Sequence, residues 1–206
     1  MNNAKPFVKW AGGKRQLIPE IDLRLKRAFG LGIDTYVEPF VGGGAVFFHV
    51  MDNYMGAIKR AVINDLNSDL MTAYTAVRSN PNGLIEALSR LQERYTSMDL
   101  EGKKAMYLGI RDEFNMKQGD ITDTTAMFIF LNKTCFNGLY RVNKQGKFNT
   151  PFSYSERPNI CDKETITADS TSLSSAEILR ADYKDTVRYA DIRTLYYLDP
   201  PYRPIS

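Results

Sequence analysis

The sequence predicts an α/β protein whose parallel, doubly wound sheet is split by a mostly helical insertion. Three observations carry this reading: a strand, glycine turn and helix start over residues 35–51, a second strand over 61–65 that ends in an acid, and strand signals that return only after about a hundred residues of helical pattern.

Taken in order, Thr35-Tyr36-Val37-Glu38-Pro39-Phe40 reads as a short buried strand that runs into Val41-Gly42-Gly43-Gly44 and the apolar stretch 45–51. Ala61-Val62-Ile63-Asn64-Asp65 is the next strand. Together they form a βαβ-like unit of the nucleotide-binding kind, whose natural home is a Rossmann-type sheet. From Asp69 to Lys133 the pattern is helical. Asn80 caps, Pro81 takes a first helical position, and Leu84, Leu88, Leu91 and Tyr95 share one face; further helices are expected over 100–116 and 122–131. Residues 136–152 read as a turn-rich hairpin punctuated by Asn137-Gly138 and Gln145-Gly146. The polar stretch 165–175 reads as a connection, and 178–183 and 194–198 read as core strands ending at Asp182 and Asp199. The expected organisation is one sheet unit from residues 1–70 and 165–206, interrupted by a helical unit over 71–164. Doubly wound sheets continue beyond a strand such as the last one, so the C-terminal part of the sheet is expected to be missing from a chain that stops at Ser206.

With 206 residues, 43% hydrophobic and 25% charged, the chain can bury a real core. It opens on Met1-Asn2-Asn3-Ala4-Lys5 without a signal-peptide stretch, and it has no apolar run of membrane-spanning length, which leads to the expectation of a cytoplasmic protein. Cys135, Cys161 and the single His49 are too few for a disulfide framework or a Cys/His zinc site, so no metal is expected. The net charge of +3 leans only slightly toward a polyanionic partner. Its distribution says more. Residues 1–19 carry Lys5, Lys9, Lys14 and Arg15 with no acid, and residues 124–155 carry Lys133, Arg141, Lys144 and Lys147 with no acid. Two local basic surfaces follow, although a short charge-biased stretch can equally be a solvated face.

Asp199-Pro200-Pro201-Tyr202 ends an apolar strand, where a doubly wound sheet presents its ligands. An amine attached to an aromatic ring is a poor nucleophile because its lone pair is delocalised into the ring. A carboxylate from Asp199 and the Pro200 carbonyl can accept its two hydrogens and favour the pyramidal, reactive nitrogen. Pro201 stiffens the turn, and Tyr202 offers a face for a stacked base. The alternative is a strand-ending acid before a proline turn. In Phe40-Val41-Gly42-Gly43-Gly44 the glycines let backbone approach a cofactor, though the spacing is not G-x-G-x-x-G. Asp65 suits ribose hydroxyls, or a helix cap before Leu66-Asn67-Ser68. Lys5-Pro6-Phe7-Val8-Lys9-Trp10-Ala11-Gly12-Gly13-Lys14 lacks both the spacing and the hydroxyl of a phosphate-binding loop, since Arg15 follows Lys14; an NTPase is not indicated.

In this order the motifs resemble the Dam-type (alpha-group) adenine-N6 DNA methyltransferases, strongest over residues 6–14, 37–47, 65–70, 130–152 and 198–204. The resemblance implies a Rossmann-like methyltransferase sheet with an inserted target-recognition domain, S-adenosylmethionine as cofactor and duplex DNA as partner. It implies that Trp10 and Lys14 help hold the cofactor, that Phe40, Gly42 and Gly44 line its methionine end, and that Asp65 takes its ribose. Asp182 and Tyr183 match the place where an acid and an aromatic meet its adenine. Residues 132–152 resemble the recognition hairpin. There Phe136 can wedge into the base stack with Asn137 nearby, and Arg141 can read guanine. Leu139 and Pro151 can touch bases, while Lys133, Lys144 and Lys147 suit phosphates. A GATC-like target is the expectation.

Three alternatives remain open at this level: an RNA adenine methyltransferase, a protein-amide methyltransferase, and a truncated module that only binds cofactor or DNA. Amide methylation goes with an Asn-Pro-Pro-Tyr pattern, so Asp199 argues against it.

Overall fold

The computed structural model describes residues 3–201. Among the described residues four parallel strands form one sheet: β1 (Thr35–Glu38), β2 (Arg60–Asn64), β3 (Ala176–Leu179) and β4 (Thr194–Tyr196), in the order β3-β2-β1-β4. Val37 of β1 stands opposite Val62 of β2 on one side and Tyr196 of β4 on the other. The chain therefore builds outward from β1 through β2 to β3, then returns to place β4 on the opposite flank. The strand order reverses between β1 and β4. In such sheets that reversal opens a crevice at the carboxyl ends of the two strands, because their connections leave in opposite directions.

Helix α1 (Ile18–Gly30) precedes β1, and α2 (Ala45–Tyr54) carries the crossover from β1 to β2, burying Val46, Phe47, Phe48, Val50 and Met51. Between β2 and β3 lie α3 (Ser68–Ser79), α4 (Pro81–Thr96), α5 (Leu100–Met116), α6 (Ile121–Thr134) and α7 (Lys163–Leu173). Their starts are set by side chains that satisfy otherwise unpaired backbone N–H groups. Asn67, Asn80, Asp99, Asp120 and Asp162 each accept from an N–H one turn in. Helix α6 is buried nearly all round, including the consecutive run Met127 to Leu131, and α3, α4 and α5 pack on it. One continuous apolar core joins these helices to α2 and the sheet, and a smaller cluster of Val37, Val62 and Tyr189 lies apart from it.

The structure differs from two of the sequence expectations and adds a helix they lacked. Residues 165–175 belong mostly to α7 and are not a connection. The Ser/Thr content misleads because Thr167 and Thr171 satisfy their hydroxyls on the carbonyls four residues back, while Ile166, Ala168 and Leu173 turn into the core. The strand expected over 178–183 lies earlier, at β3. Asp182 instead accepts from the Lys184 N–H and caps a 3-10 turn, Tyr183–Tyr189, that the sequence did not signal. Helix α1 was not anticipated either, although its signal is in the residues: Ile18, Ile21, Leu25, Ala28 and Phe29 recur at helical spacing and form its inward stripe, with Leu25 buried and Ile18, Ile21 and Phe29 packed against the core.

Candidate active site

At the crevice between β1 and β4 lies a cavity of ≈ 620 Å³, within the range of small-molecule sites. Its wall includes Trp10, Lys14, Phe40, Gly42, Gly44, Asp65, Asp182, Tyr183, Asp199 and Pro200. Every residue expected to meet the cofactor or the reacting amine thus lies in one place. The exception is Tyr202, which falls outside the described residues.

The glycine turn explains its own composition. Gly42 (φ 49°) and Gly44 (φ 75°) adopt left-handed backbone, and a Cβ on Gly42 would stand 2.9 Å from Trp10 Cδ1. The turn is pinned from two sides: the Gly42 N–H donates to Asp65 Oδ2 at 3.1 Å, and the Tyr74 hydroxyl donates to the Gly42 carbonyl at 2.9 Å. Asp65 also accepts from the Asn67 N–H at 2.9 Å, so Asp65 is a staple of the pocket while Asn67 caps α3. A carboxylate has about four acceptor positions, which leaves two of them for hydroxyls of a ligand. On the far wall the Phe40 and Tyr183 rings lie 5.3 Å apart at 34°.

Asp199 is ion-paired. Lys14 Nζ stands 2.7 Å from Asp199 Oδ2 and also donates to the Gly12 carbonyl at 2.9 Å. The two side chains are only 16% and 22% exposed, so water screens this pair less than a surface one. Lys14, expected on the cofactor, therefore also touches the acid expected on the substrate.

Two further residues of the site belong to the strands themselves. Glu38, 2% exposed at the end of β1, lines the cavity and accepts from the Tyr36 hydroxyl at 2.6 Å. Burial, helped by the nearby charge of Asp199, pushes its carboxyl up to about 8. Asn64 spends its whole amide on loop ends, donating to the carbonyls of Pro39 and Ala181 and accepting from the Ala181 N–H. It ties together the turns that follow β1 and β3. The available signal was a polar residue at the end of each apolar strand.

The hairpin sits against this pocket. Its base is closed by a bridge from Cys135 to Phe152 and its arms by one from Val142 to Phe148. Asn137 and Gly138 both take positive φ, leaving Phe136 and Asn137 exposed; Leu139, Arg141, Lys144, Lys147 and Pro151 are exposed as well. The Tyr140 ring stacks on Trp10 at 5.4 Å, and Asn132, 3% exposed, bonds the N–H and carbonyl of Lys9 and the carbonyl of Gly138. These two contacts fix the hairpin to the segment that walls the cavity. Lys133 differs from the other cations of the set. It is half-buried where Lys144 and Lys147 face solvent, and burial holds the Lys133 ammonium below the ordinary range. No helix among the described residues is long and apolar enough to cross a membrane, and those residues contain no cluster of three or more potential metal ligands.

Comparison with known proteins gives the same family that the motifs resemble. The model of the D12 class N6 adenine-specific DNA methyltransferases matches residues 10–206. The type II methyltransferase M.MjaIII of Methanocaldococcus jannaschii is 43% identical over 205 residues, 98% of this chain and 70% of that protein. The type II methyltransferase M1.LlaDCHI of Lactococcus lactis subsp. cremoris is 36% identical over 209 residues, 99% of this chain and 68% of that protein. The DNA adenine methylase of Escherichia coli is 32% identical over 206 residues, 100% of this chain and 68% of that protein.

Proposed function

Because the chain belongs to the D12 class N6 adenine-specific DNA methyltransferase family, we propose that it methylates adenine N6 in duplex DNA from S-adenosylmethionine, at GATC or a close relative, on a base turned out of the helix. The observation that carries this reading is the meeting, at one cavity, of the glycine turn after β1 with Asp199 after β4. The residues fit the donor: the turn admits no Cβ at Gly42, Asp65 keeps acceptor capacity for ribose hydroxyls, and Phe40 with Tyr183 forms an aromatic wall. When bound, the donor supplies a methyl group on a positively charged sulfur.

The chain's own part is to present the amine. Asp199 and the Pro200 carbonyl accept the two N6 hydrogens, which draws the lone pair out of the ring and toward the donor. Lys14, 2.7 Å away, holds the Asp199 carboxylate in a fixed orientation until the amine arrives. Tyr202 is the proposed stacking face. On the DNA side, Phe136 and Asn137 attend the gap left by the extruded base, Arg141 reads a guanine, and Leu139 and Pro151 touch bases. Lys144 and Lys147 meet phosphates. In this reading residues 71–164 are the target-recognition unit and residues 1–70 with 165–206 the catalytic one, acting in the cytoplasm.

The test is a cofactor titration run beside a methyl-transfer assay on duplex DNA, wild type against Asp199→Ala. Transfer should vanish in the variant while cofactor affinity is largely kept. Near-normal turnover without the carboxylate sinks the mechanism.

A further inference from the structure

Arg141 is exposed, yet its guanidinium is anchored. Nε donates to Asn149 Oδ1 at 2.9 Å and Nη2 donates to the Asn149 carbonyl at 3.1 Å, while the Asn149 N–H donates back to the Arg141 carbonyl at 3.0 Å. Three hydrogen bonds thus join these two residues across the hairpin. Asn149 is itself held on both sides. Phe148, 4% exposed, has its N–H and carbonyl bonded by the Asn115 amide of α5, at 2.8 and 3.0 Å. Thr150, 1% exposed, has its carbonyl bonded by the Tyr107 hydroxyl of α5 at 2.7 Å, and its own hydroxyl donates to the Leu139 carbonyl at 2.8 Å. The acceptor that Arg141 leans on is therefore part of the helical body.

The edge used by Asn149 decides what is left. Asn149 takes the side of the fork made by Nε and Nη2, so the end-on edge, with one N–H from each terminal nitrogen, is not engaged by Asn149. That edge has the spacing to donate to O6 and N7 of one guanine in the major groove. An unanchored arginine would have to be ordered when DNA binds, and an anchored one meets that cost in folding.

We propose that Asn149 is a positioning residue for sequence recognition, presenting the end-on edge of Arg141 to a guanine. This rests on Arg141 being a base-reading residue. A brace that merely stabilised the hairpin would change the melting temperature without changing base preference, and that difference makes the idea testable.

The experiment maps methylated adenines on a mixed-sequence duplex library, then measures kcat/KM for the preferred duplex and for duplexes changed at one base pair. Wild type is compared with Arg141→Ala, Asn149→Ala, the double variant and Asn149→Asp, each checked for folding by thermal unfolding. Arg141→Ala should lower discrimination at one base pair by about 5- to 150-fold, the worth of one bidentate contact. Asn149→Ala should lower it at that same base pair and no other, and should cost nothing more when Arg141 is already absent. Asn149→Asp keeps the acceptor oxygens. It should weaken all duplexes through its charge while keeping the wild-type ratio. Unchanged discrimination in folded Asn149→Ala, additive losses in the double variant, or an Asn149→Asp ratio as poor as that of Arg141→Ala would each overturn the proposal. If Arg141→Ala itself leaves base preference intact, the reading role assigned to Arg141 fails first, and Asn149 has nothing to position.

Discussion

Replacing Gly44 by alanine tests whether the pocket turn is as tightly determined as its contacts indicate. Gly44 precedes α2 at φ 75°, ψ 20°, and a Cβ there would press on the Tyr74 hydroxyl and stand 3.1 Å from Phe48 Cε2. Tyr74 is fully buried and its hydroxyl is committed to the Gly42 carbonyl, so it has no easy retreat. A left-handed alanine costs about 1–2 kcal/mol and overpacking a further 1–3 or so, about 2–5 kcal/mol together. At about 2–4 °C per kcal/mol for a chain of this size, the melting temperature should fall by about 4–20 °C. Gly146→Ala is the control, because Gly146 has the same kind of backbone (φ 74°) with nothing within 4 Å of an added Cβ. It should lose only the backbone share. In a double-mutant cycle, Tyr74→Phe should cost less in the Gly44→Ala background than alone, since removing the hydroxyl relieves the clash. Equal destabilisation by Gly44→Ala and Gly146→Ala, or no coupling to Tyr74, would refute the packing argument.

Two further outcomes follow from carboxylates: Glu38 and Asp65 of the pocket, and Asp169, fully buried in α7 away from it. Burial pushes the Glu38 carboxyl from 4.5 to about 8 and that of Asp169 from 3.8 to about 8, so across that interval the folded chain holds protons the unfolded chain has released. Stability contributed by these groups is therefore lost as pH rises from about 5 to 8, by at most about 1.4 kcal/mol per pH unit for each. Denaturant unfolding at several pH values should show this slope, shallower in Glu38→Gln and Asp169→Asn; a slope untouched by both substitutions contradicts it. Asp65→Ala, which frees the N–H groups of Gly42 and Asn67 and removes the proposed ribose acceptor, should weaken S-adenosylmethionine binding by at least about tenfold, or 1.4 kcal/mol, in calorimetry. Unaltered binding removes Asp65 from the cofactor site.

The part of the architecture set by local chemistry was legible in the residues. Thr35 to Phe40 running into three glycines, and Ala61 to Asn64 before Asp65, could hardly be anything but strands feeding a turn, and Asn80-Pro81 with its leucine face announced α4. Helix α7 was hidden because its helical character is settled by Asp162 at its start and by which of its polar side chains are satisfied locally. Composition alone does not carry that information.

By itself the sequence determined the family, the elements flanking the cavity and the residue types that wall it, since each depends on neighbours along the chain. The tertiary structure decided the partnerships. Lys14 reaches Asp199 across 185 positions of sequence, Asn64 clamps the turn after β3 through Ala181, and Glu38 gains its raised carboxyl only by being buried when the chain folds. Likewise nothing in the linear order says that Asn149 holds Arg141 or that Trp10 lies against Tyr140. The physical reason is common to all of them: a charge or hydrogen bond acquires its strength from the water excluded around it and from the partner that packing brings near, and both are properties of the folded chain.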